Sequence, residues 1–385
     1  MRRFVLTGYY GFGNIGDEAV LLNIIDQIKK NIPDASITVL SNNPQETAAA
    51  YDVTAVNRWK IAQTWSALRY SDIFVLGGGS LLQDVTGKRS LAFYLMQIFL
   101  ARLLRRPVFL YAQGIGPING VKNQKRVAKA LKKSILITVR DEDSACFLKD
   151  LGLDQEKIII TADPVLAARK QPCPFPLEPG KKIAIAIRPW PSLSKKMIDN
   201  LAFIGDYFAD LGYRIVFLPF CEPQDRQIAL QVIEIMKCKP FIWPDRFSYA
   251  SMMGAIGAMD VVLGMRLHSL IMAAASGTPF VGLSYDPKVD SFCRSLQQPV
   301  FSVNEFSCQN LIKQIEQVLS EQDKIKDDLA KKKKDWSLIC QANAVLLKQA
   351  ADRDRQLSLE SALNAIGSDF KIENNIKKTK YKDAP

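Results

Sequence analysis

Residues 260–290 read DVVLGMRLHSLIMAAASGTPFVGLSYDPKVD, and the fold turns on this stretch. Val261, Val262 and Leu263 make a short apolar, β-branched run that ends at Gly264. A helical pattern begins near Arg266 and is closed by Gly277 and Pro279. A second apolar run follows at once over 280–283. Strand, helix and strand in such quick succession describe a crossover that returns the chain to a parallel neighbour.

The same alternation extends in both directions. Upstream, short apolar or β-branched runs at 4–7, 37–40, 73–76, 108–111, 135–139 and 158–161 predict one parallel sheet. The stretch KQPCPFPLEPG, 170–180, carries four prolines and can hold neither a helix nor a central strand. The pattern restarts after it with strands at 183–187 and 215–218 and helices over 195–210 and 224–236. The expected organisation is therefore α/β, with two Rossmann-like domains. The first covers 1–168, a Pro-rich linker 169–181, and the second 182–350, closed by a helical stretch from 308 to about 349. Residues 351–385 are expected to be a polar, basic, disordered tail. No repeat of fixed period links the halves.

A chain of 385 residues, 48% hydrophobic and 23% charged, suits two globular cores and argues against a fibrous or disordered protein. Seven scattered cysteines with no C-x-x-C pair fit a reducing compartment and offer no zinc site. The apolar run after Arg2 and Arg3 is too short for the core of a signal peptide. The most apolar segment, 91–104, is too short to span a bilayer and reads as a buried helix. A cytoplasmic location is the expectation. The net charge of +12 is uneven, because residues 1–140 hold 19 Lys and Arg against 8 Asp and Glu. Such a field favours anionic partners, whether nucleic acid, an acidic membrane or a phosphorylated substrate.

In open parallel sheets, ligands sit beyond the carboxyl ends of the strands, so the loops that follow the strands are where chemistry is expected. The first loop, GYYGFGNIGDEA at 8–19, contains G-x-G-x-x-G at Gly11, Gly13 and Gly16. A dinucleotide site is the obvious reading of that motif. Two features oppose it. The second strand ends in Ser41, Asn42 and Asn43 with no acid for a ribose, and Asp17 and Glu18 put negative charge where a pyrophosphate would lie. The loop is better read as bringing Asn14 and Asp17 into a cleft, the plain alternative being a tight turn with an Asp cap on its helix. Two more glycine clusters, LGGGSLLQD at 76–84 and QGIGP at 113–117, follow later strands.

The segment VRDEDS, 139–144, places Arg140 at a strand end beside the positive end of a helix dipole. A bound anion explains that placement, and a surface pair with Asp141 or Asp143 is the alternative. In the opening stretch Arg266, Leu267 and His268 stand at a helix N-terminus, with free N–H groups and a positive dipole. His268 is the sole histidine of the chain, so any imidazole acid or base is this one. A dipole lowers its pKa and a bound phosphate raises it. Lys288, after the next strand, is a further cation at the same sheet edge.

Six segments in order, GFGNIGDEA, GGGSLLQD, QGIGP, VRDEDS, GMRLHSL and SYDPKV, resemble the polysaccharide pyruvyl transferases. The closest resemblance is to the bacterial enzymes that act on the secondary cell-wall polymer anchoring surface-layer proteins. The resemblance implies a GT-B-like fold, phosphoenolpyruvate as co-substrate, and no metal or organic cofactor. It implies that Arg140, Arg266, Leu267 and Lys288 hold the donor and that His268 and Arg140 are catalytic, with Gly13, Asn14 and Asp17 on the substrate-binding loop. The implied acceptor is a lipid-diphosphate-linked saccharide containing N-acetylmannosamine, and the implied product a 4,6-ketal. Lys122, Lys125, Arg126, Lys129 and Lys133 share a helix face, and Arg102, Arg105 and Arg106 end the apolar helix, a set suited to anionic lipid headgroups. A GT-B glycosyltransferase using a nucleotide sugar is the nearest competing reading. A nucleic-acid binder would need aromatics interleaved with the basic runs, which this chain lacks.

Overall fold

The computed structural model describes residues 1–85, 88–174, 179–191, 194–244, 248–353 and 357–367. Its strands make two sheets in which every pairing is parallel. The first holds β1 (Arg2–Thr7), β2 (Ala35–Ser41), β3 (Thr54–Asn57), β4 (Ile73–Leu76), β5 (Val108–Gln113), β6 (Leu136–Val139) and β7 (Ile158–Ile160), in the order β3-β2-β1-β4-β5-β6-β7. The second holds β8 (Lys182–Ala186), β9 (Arg214–Phe217), β10 (Phe241–Ile242), β11 (Val261–Gly264), β12 (Phe280–Ser284) and β13 (Val300–Ser302), in the order β10-β9-β8-β11-β12-β13.

Helices cover both faces, so β4, β5, β6, β8, β11 and β12 are buried at every position. That is why they read in sequence as continuous apolar runs. The strands the sequence did not announce are β3, β10 and β13. All three lie at sheet edges and are partly exposed, so they lack the apolar density that marks a central strand.

Three expectations change. The apolar segment 91–104 forms helix Lys88–Leu103, but only one side is buried, through Leu91, Tyr94, Ile98 and Ala101, while Phe99 and Leu103 are about 60% exposed. The closing stretch is two helices, Cys308–Ser320 and Gln322–Ala351. The second returns to the first sheet's half, where Asn343 accepts from the Thr161 hydroxyl at 3.2 Å and Asp352 binds Arg2 at 2.8 Å. Within the expected tail, Leu359–Ile366 is a helix that buries Ala362 and Leu363, because its apolar residues recur at helical spacing. Residues 368–385 lie outside the described residues, as do 175–178 of the expected linker. The linker residues on either side, 169–174 and 179–181, carry no helix or strand.

Besides a core of its own in each half, the two halves share a further buried apolar cluster. Ala19, Leu21, Ile24 and Ile28 of helix Ile15–Asn31 belong to the same buried cluster as Met252, Met253, Ile271 and Met272 of the second half and Leu346 and Leu347 of the long helix. Among the described residues no helix is long and apolar enough to cross a membrane.

Candidate active site

In a doubly wound sheet, ligands collect where the strand order reverses. That point lies between β1 and β4 in the first sheet and between β8 and β11 in the second. The loops leaving these four strands, with those after β6 and β12, line a single cleft of about 540 Å³ between the sheets. Asn14, Asp17, Arg140, Arg266, Leu267, His268 and Lys288 all border it. Gly13 does not: it is exposed at a φ of 72° and serves to turn the chain.

The glycine loop does something other than hold a pyrophosphate. Asn14, not an aspartate, caps helix Ile15–Asn31, its Oδ1 accepting from the Gly16 N–H at 3.1 Å. Glu18 turns back to accept from the Gly11 N–H at 2.8 Å and the Tyr51 hydroxyl at 2.6 Å. The acidic pair is thereby split, and Asp17 alone faces the cleft. Burial, and then the neighbouring Glu18, lift its carboxyl to about 7 despite Arg266 and Arg140 nearby. Gly16 meets the imidazole of His268, and a Cβ added there would run into the ring. The third glycine of the motif therefore makes room for a side chain from the opposite half.

His268 stands in the first turn of helix Leu267–Ser276. Burial lowers its pKa to about 4; Asp163 opposes this, while Arg140 and Arg266 add to it. The ring is neutral at pH 7. Its Nε2 has no hydrogen-bond partner among the described residues and lies 3.8 Å from Asp163 Oδ2. The same Asp163 oxygen accepts from Arg140 Nη1 at 2.8 Å. Arg140 is nearly buried and also donates to the Ser80 hydroxyl at 3.2 Å, with Asp141 at 3.4 Å from its Nε. It is therefore no surface pair. Gly114 leaves space for it, since a Cβ there would stand 2.9 Å from the guanidinium.

Across the cleft, Arg266 is gripped at two points by Asp225, one of them Nε to Oδ2 at 2.9 Å. Asp225 is itself buried and accepts from the N–H groups of Phe220 and Cys221. Lys288 follows the capping Asp286, and burial lowers its pKa to about 8. Among the described residues its ammonium has no ion-pair partner.

The structure adds three residues that sequence reasoning missed. Asp163 and Asp225 hold the two arginines from 23 and 41 residues away, and no local pattern announces such pairings. Arg188 was legible: it follows β8 just as Arg140 follows β6. It borders the cleft, donates to Tyr285 Oη at 2.9 Å and lies against the rings of Trp190 and Tyr285. Its Nε has no hydrogen-bond partner among the described residues. The site thus converges four cations, a neutral imidazole and a near-neutral carboxyl on a space sized for a small ligand.

Comparison with known proteins agrees with this layout. The fold superposes on a putative UDP-N-acetylglucosamine 2-epimerase from Listeria monocytogenes, with a TM-score of 0.66 and 12% identity over 93% of this chain and 99% of that one. It also superposes on HepE of Anabaena, solved with UDP and glucose, with a TM-score of 0.55 and 11% identity over 95% and 98% of the two chains. These likenesses establish a GT-B-like fold. In sequence, the chain is 21% identical to the amylovoran biosynthesis protein AmsJ of Erwinia amylovora, covering 86% of this chain and 95% of that protein. The profile of the polysaccharide pyruvyl transferases matches residues 14–287, from the cap of the first helix to the proline before Lys288. The chain is therefore a transferase and belongs to the polysaccharide pyruvyl transferase family.

Proposed function

We propose that the enzyme transfers the pyruvyl group of phosphoenolpyruvate to a lipid-diphosphate-linked saccharide containing N-acetylmannosamine, forming a 4,6-ketal and releasing phosphate. The observation that carries this reading is the convergence of Arg140, Arg188, Arg266 and Lys288 on one cleft. Phosphoenolpyruvate sets a carboxylate and a phosphate a few ångströms apart, and fixed guanidinium forks suit such a pair. Arg188 and Lys288 make no ion pair among the described residues, so a bound dianion need not displace a protein carboxylate to reach them.

The proton balance assigns the remaining groups. The acceptor gives up two hydroxyl protons, of which one ends on C3 of the donor and the other leaves with the phosphate. C2 loses its double bond to C3 and its bond to the phosphate oxygen, and gains two bonds to acceptor oxygens. An imidazole that is neutral in the empty cleft gains basicity when a phosphate arrives beside it. His268 then carries the proton for C3, with Asp163 holding the positive charge that forms. Asp17 on the opposite wall, poised near 7, takes the proton of the attacking hydroxyl. Positioned acid–base groups of this kind contribute roughly 10²- to 10⁴-fold each.

The test is phosphate release from phosphoenolpyruvate with a lipid-linked or soluble N-acetylmannosamine-containing disaccharide, for the native protein and His268→Ala. Acceptor-dependent release, lost by about 10²-fold or more in a folded variant, is the expected outcome. Full activity in the variant removes His268 from the chemistry. Absence of release with every amino-sugar acceptor, joined to turnover of a nucleotide sugar, selects the glycosyltransferase alternative.

A further inference from the structure

Residues 85–139 contain eleven Lys and Arg and not one Asp or Glu. In the fold this stretch includes helices Lys88–Leu103 and Val121–Leu131, which pack side by side on one face of the first sheet. The first helix buries one side and leaves the other unpartnered. Ala92, Met96, Phe99 and Leu103 recur every three or four residues along the outer side, with Phe99 61% and Leu103 59% exposed. Val121, at the start of the second helix, is 63% exposed. The second helix and the turn after it expose Lys122, Lys125, Arg126, Lys129, Lys132 and Lys133, and Lys129, Lys132 and Lys133 line one groove with Phe99 and Leu103.

Where the two helices end, Arg102 and Arg106 line a shallow basic groove with Phe99 and Leu103. Nε and Nη2 of Arg102 and Nε of Arg106 have no hydrogen-bond partner among the described residues, although each of these atoms is covered from solvent. At the other end, Ser90 in the first turn of the first helix and Pro117, in the loop before the second, line the candidate cleft.

We propose that this two-helix face docks the enzyme on an anionic lipid bilayer, with Phe99, Leu103 and Val121 entering the acyl boundary and the flanking cations meeting lipid phosphates. The proposal rests on the reading of the acceptor as lipid-linked, and it sets the cleft close to the membrane as that reading needs, since the start of the two-helix face borders the cleft. The charge of the surface calls for a polyanion. Its outward row of Met, Phe and Leu calls for hydrocarbon, which a bilayer offers and a nucleic acid does not. Neither signal alone selects a membrane; their interleaving on one face does.

Binding of the full chain to phosphatidylglycerol-containing vesicles, against pure phosphatidylcholine vesicles and an RNA duplex, tests it. The variants are Phe99→Asp/Leu103→Asp and Lys125→Glu/Arg126→Glu/Lys129→Glu, none of which lines the cleft. The expected results are binding to the anionic vesicles that weakens with salt, falls about tenfold or more in each variant, and exceeds binding to RNA. Turnover of a vesicle-embedded acceptor should fall in parallel, while turnover of a soluble disaccharide stays unchanged. A native protein that turns over the soluble acceptor but ignores anionic vesicles overturns the docking surface and leaves the activity standing. Vesicle binding without turnover of either acceptor leaves the surface standing and overturns the activity. Preference for RNA, indifferent to the Phe99 and Leu103 changes, overturns the membrane as partner.

Discussion

Asp17 and His268 are titratable groups whose environments push them in opposite directions, and their linkage to folding can be signed. The folded-state pKa of Asp17 is raised to about 7, so stability is lost as pH rises from the ordinary carboxyl range through 7. That of His268 is lowered to about 4, so stability is lost as pH falls from about 6.5 towards 4. At roughly 1.4 kcal/mol for each tenfold change in proton affinity, the histidine effect can reach a few kcal/mol. Asp17→Asn should therefore raise the melting temperature above that of the native protein by clearly more at pH 8 than at pH 5. An equal difference at both pH values would mean that the carboxyl is ionised throughout. At this scale the sequence was informative about which residues face the cleft and uninformative about their protonation. Arg140, Arg266, His268 and Lys288 announced themselves by standing at strand ends. Asp163 and Asp225, which hold the two arginines, lie tens of residues away from them and become neighbours only through packing.

At the scale of elements, the buried strands and the loops after them were legible because parallel sheets covered on both faces demand continuous apolar runs. The edge strands β3, β10 and β13 were not, since half-exposed segments need no such composition. The glycine loop after β1 carries the letters of a dinucleotide motif, yet its third glycine admits an imidazole. The turn demands small residues for either purpose, and sequence alone does not say which. Asp225, in the first turn of helix Gln224–Ile233, is on the proposed reading a positioning residue: it fixes Arg266, one of the cations proposed to meet the donor. Removing one partner of a buried ion pair typically costs about 3–5 kcal/mol. Asp225→Asn should lower the melting temperature and raise KM for phosphoenolpyruvate about tenfold or more, with a smaller change in kcat. A kcat loss at unchanged KM would place Asp225 in the chemistry instead.

At the scale of the whole molecule, two sheets drawn as separate units in the sequence share one buried cluster, running from helix Ile15–Asn31 through Met252 and Ile271 to Leu346. Prying the halves apart would expose that surface to water, at about 25 cal/mol for each square ångström of apolar area. Calorimetry should accordingly show a single thermal transition with both halves melting together. Two resolved transitions would mean that the shared cluster is weaker than either core. The helix that gives Asn14 and Asp17 to the cleft also packs into this seam, and its Gly16 gives way to an imidazole from the other side. The halves are therefore bound by inheritance as well as by packing. A gene exchange that delivered a foreign second half would have to match both the seam and the hollow left for His268, so lineages of such enzymes are expected to diverge by altering surface loops rather than by trading domains.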